Sequence, residues 1–315
     1  MSRYINPNRI EFVITHACSG KCKHCSLGEL PAAGGSIDAA TAVQVTKQLT
    51  EKYSIESIMT FGGEPLLYWD TVCKIHAAAR DCGINKRQLI TNGFFSKDEK
   101  KTDEAAKALC DAGINAVLLS IDAFHQEFIP LGPVLQFADA LMRHNIPYLR
   151  AHPAWVISEA DINPYNTETR RLLDIFADKG IPSSSGNNII ASGSASKYLA
   201  EYFPPPGEID LSEPCGSAPY TSRLDEIDCV GINPDGTVVA CIEIGNIYHM
   251  DIMTIIDNYD PYRDPILSNL LKGGVGELLR YADANGVSVD ISDCYSACGV
   301  CRKVMGELKN LTRHP

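Results

Sequence analysis

The chain reads Arg9-Ile-Glu-Phe-Val-Ile-Thr15, then His16-Ala-Cys18-Ser-Gly-Lys-Cys22-Lys-His24-Cys25. The first seven residues have the apolar, β-branched character of a strand, and three thiols follow at C-x3-C-x2-C spacing in a short loop containing Gly20. Outward from this point strands and helices alternate. Helix 37–53, with Ser36 as N-cap, is followed by strand 57–61, helix 69–82, strand 88–91 and helix 103–112. Strand 116–121, helix 134–144, strand 148–151, helix 168–179 and an extended stretch at 188–191 complete the series. Such alternation builds a parallel sheet, so the fold class is α/β, and six units predict a partial (β/α)6 TIM barrel rather than a closed eight-fold one.

With 315 residues, the chain has room for one large domain and a smaller appendage. Pro204-Pro205-Pro206, within 202–208, reads as a linker, which divides the chain into 1–201 and a small α+β unit at 202–315. Hydrophobic residues at 45% and charged residues at 21% exclude a disordered or low-complexity chain. No apolar run approaches the ~18 residues of a membrane span. The first nine residues lack a signal peptide's basic start and apolar stretch, so the expected location is cytoplasmic. A net charge of −11 without a Lys/Arg block disfavours nucleic acid. The acidic surface suits solubility or a basic partner.

Within the second unit, Asn233-Pro234-Asp235-Gly236 reads as a hairpin turn. A three-residue loop sets Asn233 opposite Thr237, and counting outward brings Cys229 opposite Cys241 on one face, with Cβ atoms about 4.5 to 5.5 Å apart. Helices at 265–271 and 275–284 lead to the closing Cys294-x3-Cys298-x2-Cys301.

Twelve cysteines in a chain of this kind favour metal or redox chemistry over disulfides. Three thiols at the first spacing suit a corner of a 4Fe-4S cube, leaving one iron open; a zinc site completed by His16 or His24 is the alternative. Cys73, Cys82 and Cys110 fall in or at the ends of predicted helices and read as core. His125, three residues after Asp122, reads as an active-site group or, as a lone loop histidine more often is, a structural or solvated one, and Ser183 to Ser185 as loop material.

The C-x3-C-x2-C run resembles the defining motif of the radical S-adenosylmethionine (radical SAM) superfamily, with His24 at the place usually held by another aromatic residue. Thr60-Phe61-Gly62-Gly63-Glu64-Pro65, Thr91-Asn92-Gly93 and Ser120-Ile121-Asp122, each at a predicted strand end, resemble the family's cofactor-lining motifs. The resemblance implies a 4Fe-4S cluster on Cys18, Cys22 and Cys25. It also implies S-adenosylmethionine (SAM) held by His24, Gly62, Gly63, Glu64, Asn92, Ser120 and Asp122, with Ser192 to Ala195 as a further loop on that side. Reductive cleavage of SAM to a 5′-deoxyadenosyl radical that abstracts a substrate hydrogen is the implied reaction.

Gly236-x4-Cys241 and the terminal triplet resemble the family's SPASM and twitch extensions, although the full SPASM core spacing is absent. One auxiliary 4Fe-4S cluster is therefore expected, two being the alternative, with Cys229, Cys241, Cys294, Cys298 and Cys301 as ligands and Cys215 as a free thiol that donates a hydrogen atom. The implied substrate is a peptide, modified by epimerisation, thioether formation or cross-linking as in peptide (RiPP) maturases, under anaerobic conditions. The implied partner is an electron donor such as flavodoxin or ferredoxin; with about 17 residues before Cys18, leader recognition is expected from the barrel face, the C-terminal unit or a separate leader-recognition protein. A small-molecule or cofactor-precursor substrate, a protein activase and a non-catalytic electron carrier are the competing readings.

Overall fold

The computed structural model describes residues 2–206, 209–218 and 221–313. Residues 207 and 208 of the expected linker lie outside them. The chain begins β1 (Ile5–Val13), α1 (Ala39–Lys52), β2 (Ser57–Phe61), α2 (Trp69–Asp81), β3 (Lys86–Thr91), α3 (Glu99–Asp111) and β4 (Ala116–Ser120). It continues α4 (Ala123–Gln126), α5 (Leu131–Arg143), β5 (Tyr148–His152), β6 (Ala154–Trp155), α6 (Pro164–Asp178), β7 (Asn187–Asn188) and α7 (Ser194–Tyr198). Beyond these come β8 (Ile227–Ile232), β9 (Thr237–Ala240), β10 (Ile242–Asn246), α8 (Ile252–Asn258), α9 (Pro265–Ala284) and α10 (Ala297–Arg313).

Strands β1 to β5 are parallel in sequence order, as a partial barrel requires. The sixth unit attaches in two short pieces, where Ala151 bridges Ser183 and β6 pairs with β7. One face of each strand is apolar: Ile10, Phe12, Ile58, Leu89, Val117 and Leu119 are fully buried against Leu49, Val72, Ile75, Leu109 and Phe137 of the helices. On the other face Arg9 ion-pairs with Glu11 at 2.6 Å and donates to Gln88 at 3.2 Å.

Helix starts follow capping chemistry. The expected cap at Ser36 is displaced by two residues, because the Asp38 carboxylate accepts from the Thr41 N–H at 2.8 Å. Asp98, Asn163 and Asp264 cap α3, α6 and α9 in the same way, and Pro164 and Pro265 occupy first-turn positions where no N–H is needed. The two helices expected at 265–284 meet at a kink, where Gly273 and Gly274 leave the helical conformation.

The C-terminal hairpin is continuous with the barrel. β8 runs parallel to β1, with Arg9 beside Cys229 and Phe12 beside Ile232, so the sheet reads β10-β9-β8-β1-β2-β3-β4-β5. A smaller core around Leu270, Leu278, Val300 and Val304 joins α9 to α10.

Candidate active site

The cysteine loop leaves the end of β1 and is pinned by its backbone. Cys18 N–H donates to Pro31 O at 2.8 Å, Cys25 N–H to Cys22 O at 3.1 Å, and Ser194 N–H to Cys25 O at 2.9 Å. The Cys18 and Cys22 thiols converge around Gly20, where a Cβ would stand 3.2 Å from Cys22 Sγ and 3.8 Å from Cys18 Sγ. Burial pushes the Cys18 thiol up to about 11, with Glu64 and Cys25 adding to the rise. Cys22 is raised further by burial, then by Asp122, Cys18 and Cys25. Thiols raised in this way become stable thiolates only against a positive centre. They line a cleft of about 1020 Å³ at the C-terminal ends of the strands, with Gly62, Gly63, Asn92, Ser120 and Asp122.

The two glycines line the cleft and also meet a second backbone requirement. Gly62 has φ +148°, and a Cβ on it would lie 2.5 Å from Thr15 O; on Gly63 it would lie 2.1 Å from Ala17 O. Gly63 N–H and Glu64 N–H donate to those same carbonyls at 2.8 Å. The glycines therefore let this loop seat directly on the cysteine loop. Glu64, expected at the cofactor, is fully buried next to the cleft-lining Gly63, Thr91 and Asn92. Its carboxylate accepts from Thr91 Oγ1 at 2.6 Å, Leu66 N–H at 2.9 Å and Asn92 N–H at 2.8 Å, and burial raises it to about 7. It clamps the ends of β2 and β3 together. Asn92 is held there to face the cysteines, donating to Ser19 Oγ at 3.1 Å and, weakly, to Cys18 Sγ at 3.8 Å.

Asp122 is fully buried and caps α4, accepting from Phe124 N–H at 3.0 Å and His125 N–H at 2.9 Å. The His125 ring lies 2.8 Å from its other oxygen. Burial opposes both charges, yet the pair prevails: Asp122 falls below the usual carboxylate range and His125 rises. His125 is thus a cleft residue, not a solvated loop group. His24 packs on Phe124 and His125, each ring centroid 4.9 Å away, and burial lowers it to about 4. Its Nδ1 is buried with no partner among the described residues. His152 also lines the cleft, bonded to Ser184 at 2.7 Å and Asn187 at 3.0 Å. Its place at the end of β5 was the sequence signal for it.

The second cysteine group divides differently from its spacing. The hairpin register holds as far as Gly231↔Val239, with Asn233 N–H donating to Thr237 O at 2.9 Å. At Cys241 the backbone turns left-handed, φ +66°, and β10 folds back on β9. Cys229 instead lies beside Arg9, and burial followed by Glu11 raises it to about 12. No cysteine acts on Cys229 among the described residues. Cys215, Cys241, Cys298 and Cys301 are the set brought together: in every pair of the four, one thiol raises the pKa of the other. Cys215 and Cys301 pack on the same core, and Cys215 accepts the Leu224 N–H. Cys294 faces Asp293 and Lys303.

The three thiols lining one cleft, two of them against Gly20, and the orphaned His24 nitrogen fit an iron-sulfur cluster with one open iron. Comparison with known proteins agrees. Residues 12–191 match the model of the radical SAM superfamily, and this chain belongs to that superfamily. A probable GTP 3′,8-cyclase of Methanocaldococcus jannaschii is 29% identical over 114 residues, 36% of each chain. A PqqA peptide cyclase of Methylocella silvestris is 32% identical over 120 residues, 38% of this chain and 30% of that one. The chain thus spans about a third of the length of these curated relatives. The solved structure of native anSMEcpe with bound AdoMet and Cp18Cys peptide has a TM-score of 0.50 at 15% identity, over 98% of this chain and 99% of that one. That likeness is one of fold. No helix among the described residues is long and apolar enough to cross a membrane.

Proposed function

We propose that this protein is a radical SAM enzyme that modifies a peptide. The observation that carries the radical SAM reading is the convergence of Cys18, Cys22 and Cys25 on the cleft at the strand ends, within the stretch matching the superfamily. A bound cluster and SAM together supply one electron and a hydrogen-abstracting group, the hard chemistry that side chains lack. The chain's own residues do the rest. Cys18, Cys22 and Cys25 would hold the cluster, Asn92 and Ser120 face the cofactor, and the Asp122–His125 pair fixes a polar group beside Cys22. Cys215, Cys241, Cys298 and Cys301 hold one auxiliary cluster, in place of the set expected from spacing, and Cys215 is then a ligand rather than a free hydrogen donor.

The peptide reading is supported by the open, apolar mouth of the cleft and by the family's peptide-bound and peptide-cyclising members. Similarity to GTP 3′,8-cyclases favours a small nucleotide as the second reading. The test is incubation of reconstituted, reduced enzyme with SAM in deuterated water, together with either the peptide encoded nearest its gene or GTP. A peptide gaining one deuterium, or losing two hydrogens, supports the peptide reading and separates epimerisation from cross-linking. A changed GTP with an unchanged peptide overturns it. SAM cleavage that persists when all three of Cys18, Cys22 and Cys25 are replaced by alanine overturns the radical SAM assignment itself.

A further inference from the structure

Four of the eleven large hydrophobic side chains left exposed among the described residues ring the cleft mouth. Leu27 is 52% exposed, Phe128 43%, Ile190 49% and Tyr198 43%, and all four line the same cleft. They come from four separate places: the cysteine loop, the segment after α4, the segment after β7, and α7. Scattered exposed apolar residues need no explanation, but several ringing one concavity mark a surface that is covered in use.

Charge at the same rim runs against the rest of the molecule. Lys23 is paired with Glu127 and Lys197 with Glu29, each at 2.7 Å. Lys21, exposed on the cysteine loop, makes no ion pair among the described residues. Glu29, the carboxylate on which it acts, is already bonded to Lys197 and to Tyr198 Oη at 2.7 Å. Three lysines against two glutamates leave the rim at +1, on a chain whose net charge is −11.

We propose that this rim docks a peptide segment whose reacting residue is flanked by large apolar side chains, with an acidic side chain beside them to meet Lys21. The proposal rests on the peptide reading above and adds the chemistry of the substrate. Apolar flanks supply affinity by covering the four exposed side chains, and the carboxylate supplies register. The net acidic character of the chain as a whole disfavours other approaches of such a segment.

The test uses reconstituted holoenzyme with SAM and three fluorescein-labelled synthetic peptides of equal length, read by anisotropy. The first has leucine and phenylalanine flanking a central serine, with an adjacent aspartate. The second carries lysine for the aspartate, and the third serines for the two apolar residues. The first should bind at least about fivefold tighter than the third, the range of a buried apolar anchor. It should bind about threefold tighter than the second at low salt, a difference that closes at high salt. Phe128→Ser combined with Ile190→Ser should abolish the first difference, and Lys21→Glu should invert the second. Equal affinities for all three peptides, or a first-to-third difference that survives in the doubly substituted enzyme, overturn the proposal and leave the peptide reading standing. Failure to bind any of the three overturns the proposal as well, and the peptide reading is then decided by the deuterium experiment above.

Discussion

A single glycine shows how far a residue can be read from sequence. Gly62-Gly63 is legible as a close backbone approach, but its partner is Thr15 to Ala17, a contact between loops far apart in the chain that leaves no local pattern. Gly63→Ala places a methyl group 2.1 Å from Ala17 O and should cost at least about 2 kcal/mol by thermal unfolding. Gly35→Ala, with nothing within 4 Å, should stay within about 0.5 kcal/mol. A second residue carries a pH signature. His76 on α2 is fully buried with its Nε2 2.9 Å from Thr60 Oγ1, and burial, aided by Arg87, lowers it to about 3. The unfolded chain, with an ordinary histidine near 6.5, binds this proton where the folded one does not. Stability therefore falls as pH drops through that window, by about 3 kcal/mol between pH 6.5 and 4 from this residue alone. Chemical denaturation of His76→Gln, which keeps a side-chain amide within reach of Thr60, should show that much less loss over the same range.

Among the elements, the hairpin separates what sequence carries from what it does not. The turn residues Pro234-Asp235-Gly236 dictate the loop, and the register follows from them through Val238 and Val239. The left-handed turn at Cys241 was illegible, because that conformation belongs by preference to glycine, asparagine and aspartate. One residue in that conformation removes Cys241 from Cys229 and turns it towards Cys215 and the first turn of α10, where Cys298 and Cys301 sit. If those four thiols hold one cluster, reconstituted protein should contain about eight irons per chain. Alanine at Cys215, Cys241, Cys298 or Cys301 should lower this towards about four, whereas Cys229→Ala and Cys294→Ala should leave about eight. An iron content that falls with Cys229 and not with Cys215 would restore the ligand set suggested by spacing.

For the whole molecule, the question is whether residues 1–201 are a domain in the energetic sense. The α/β alternation made the barrel legible strand by strand, but parallel pairing between β1 and β8 joins residues more than two hundred apart, and only a hairpin signal marked the second partner. Ile227, Val230, Ile232 and Val238 belong to the same buried core as Ile10 and Phe12, as do Ile252, Ile255 and Ile256 of α8. Each such side chain contributes roughly 1.5 to 3 kcal/mol when fully buried. Removing them uncovers the apolar side chains of β1 on which they pack, a loss comparable with the ~5 to 15 kcal/mol by which a domain is stable. Ending the chain at Glu201 also bares the polar edge of β1, a nine-residue strand at the centre of the sheet, to pairing with other chains. The truncated chain should therefore aggregate or melt without a cooperative transition, while the full chain unfolds in a transition that includes β1 and β8 together. Circular dichroism melting and limited proteolysis of the two chains decide it. A cooperative, protease-resistant 1–201 fragment would mean that the barrel holds its first strand without the hairpin, and that the two units are joined by contact rather than by a shared core.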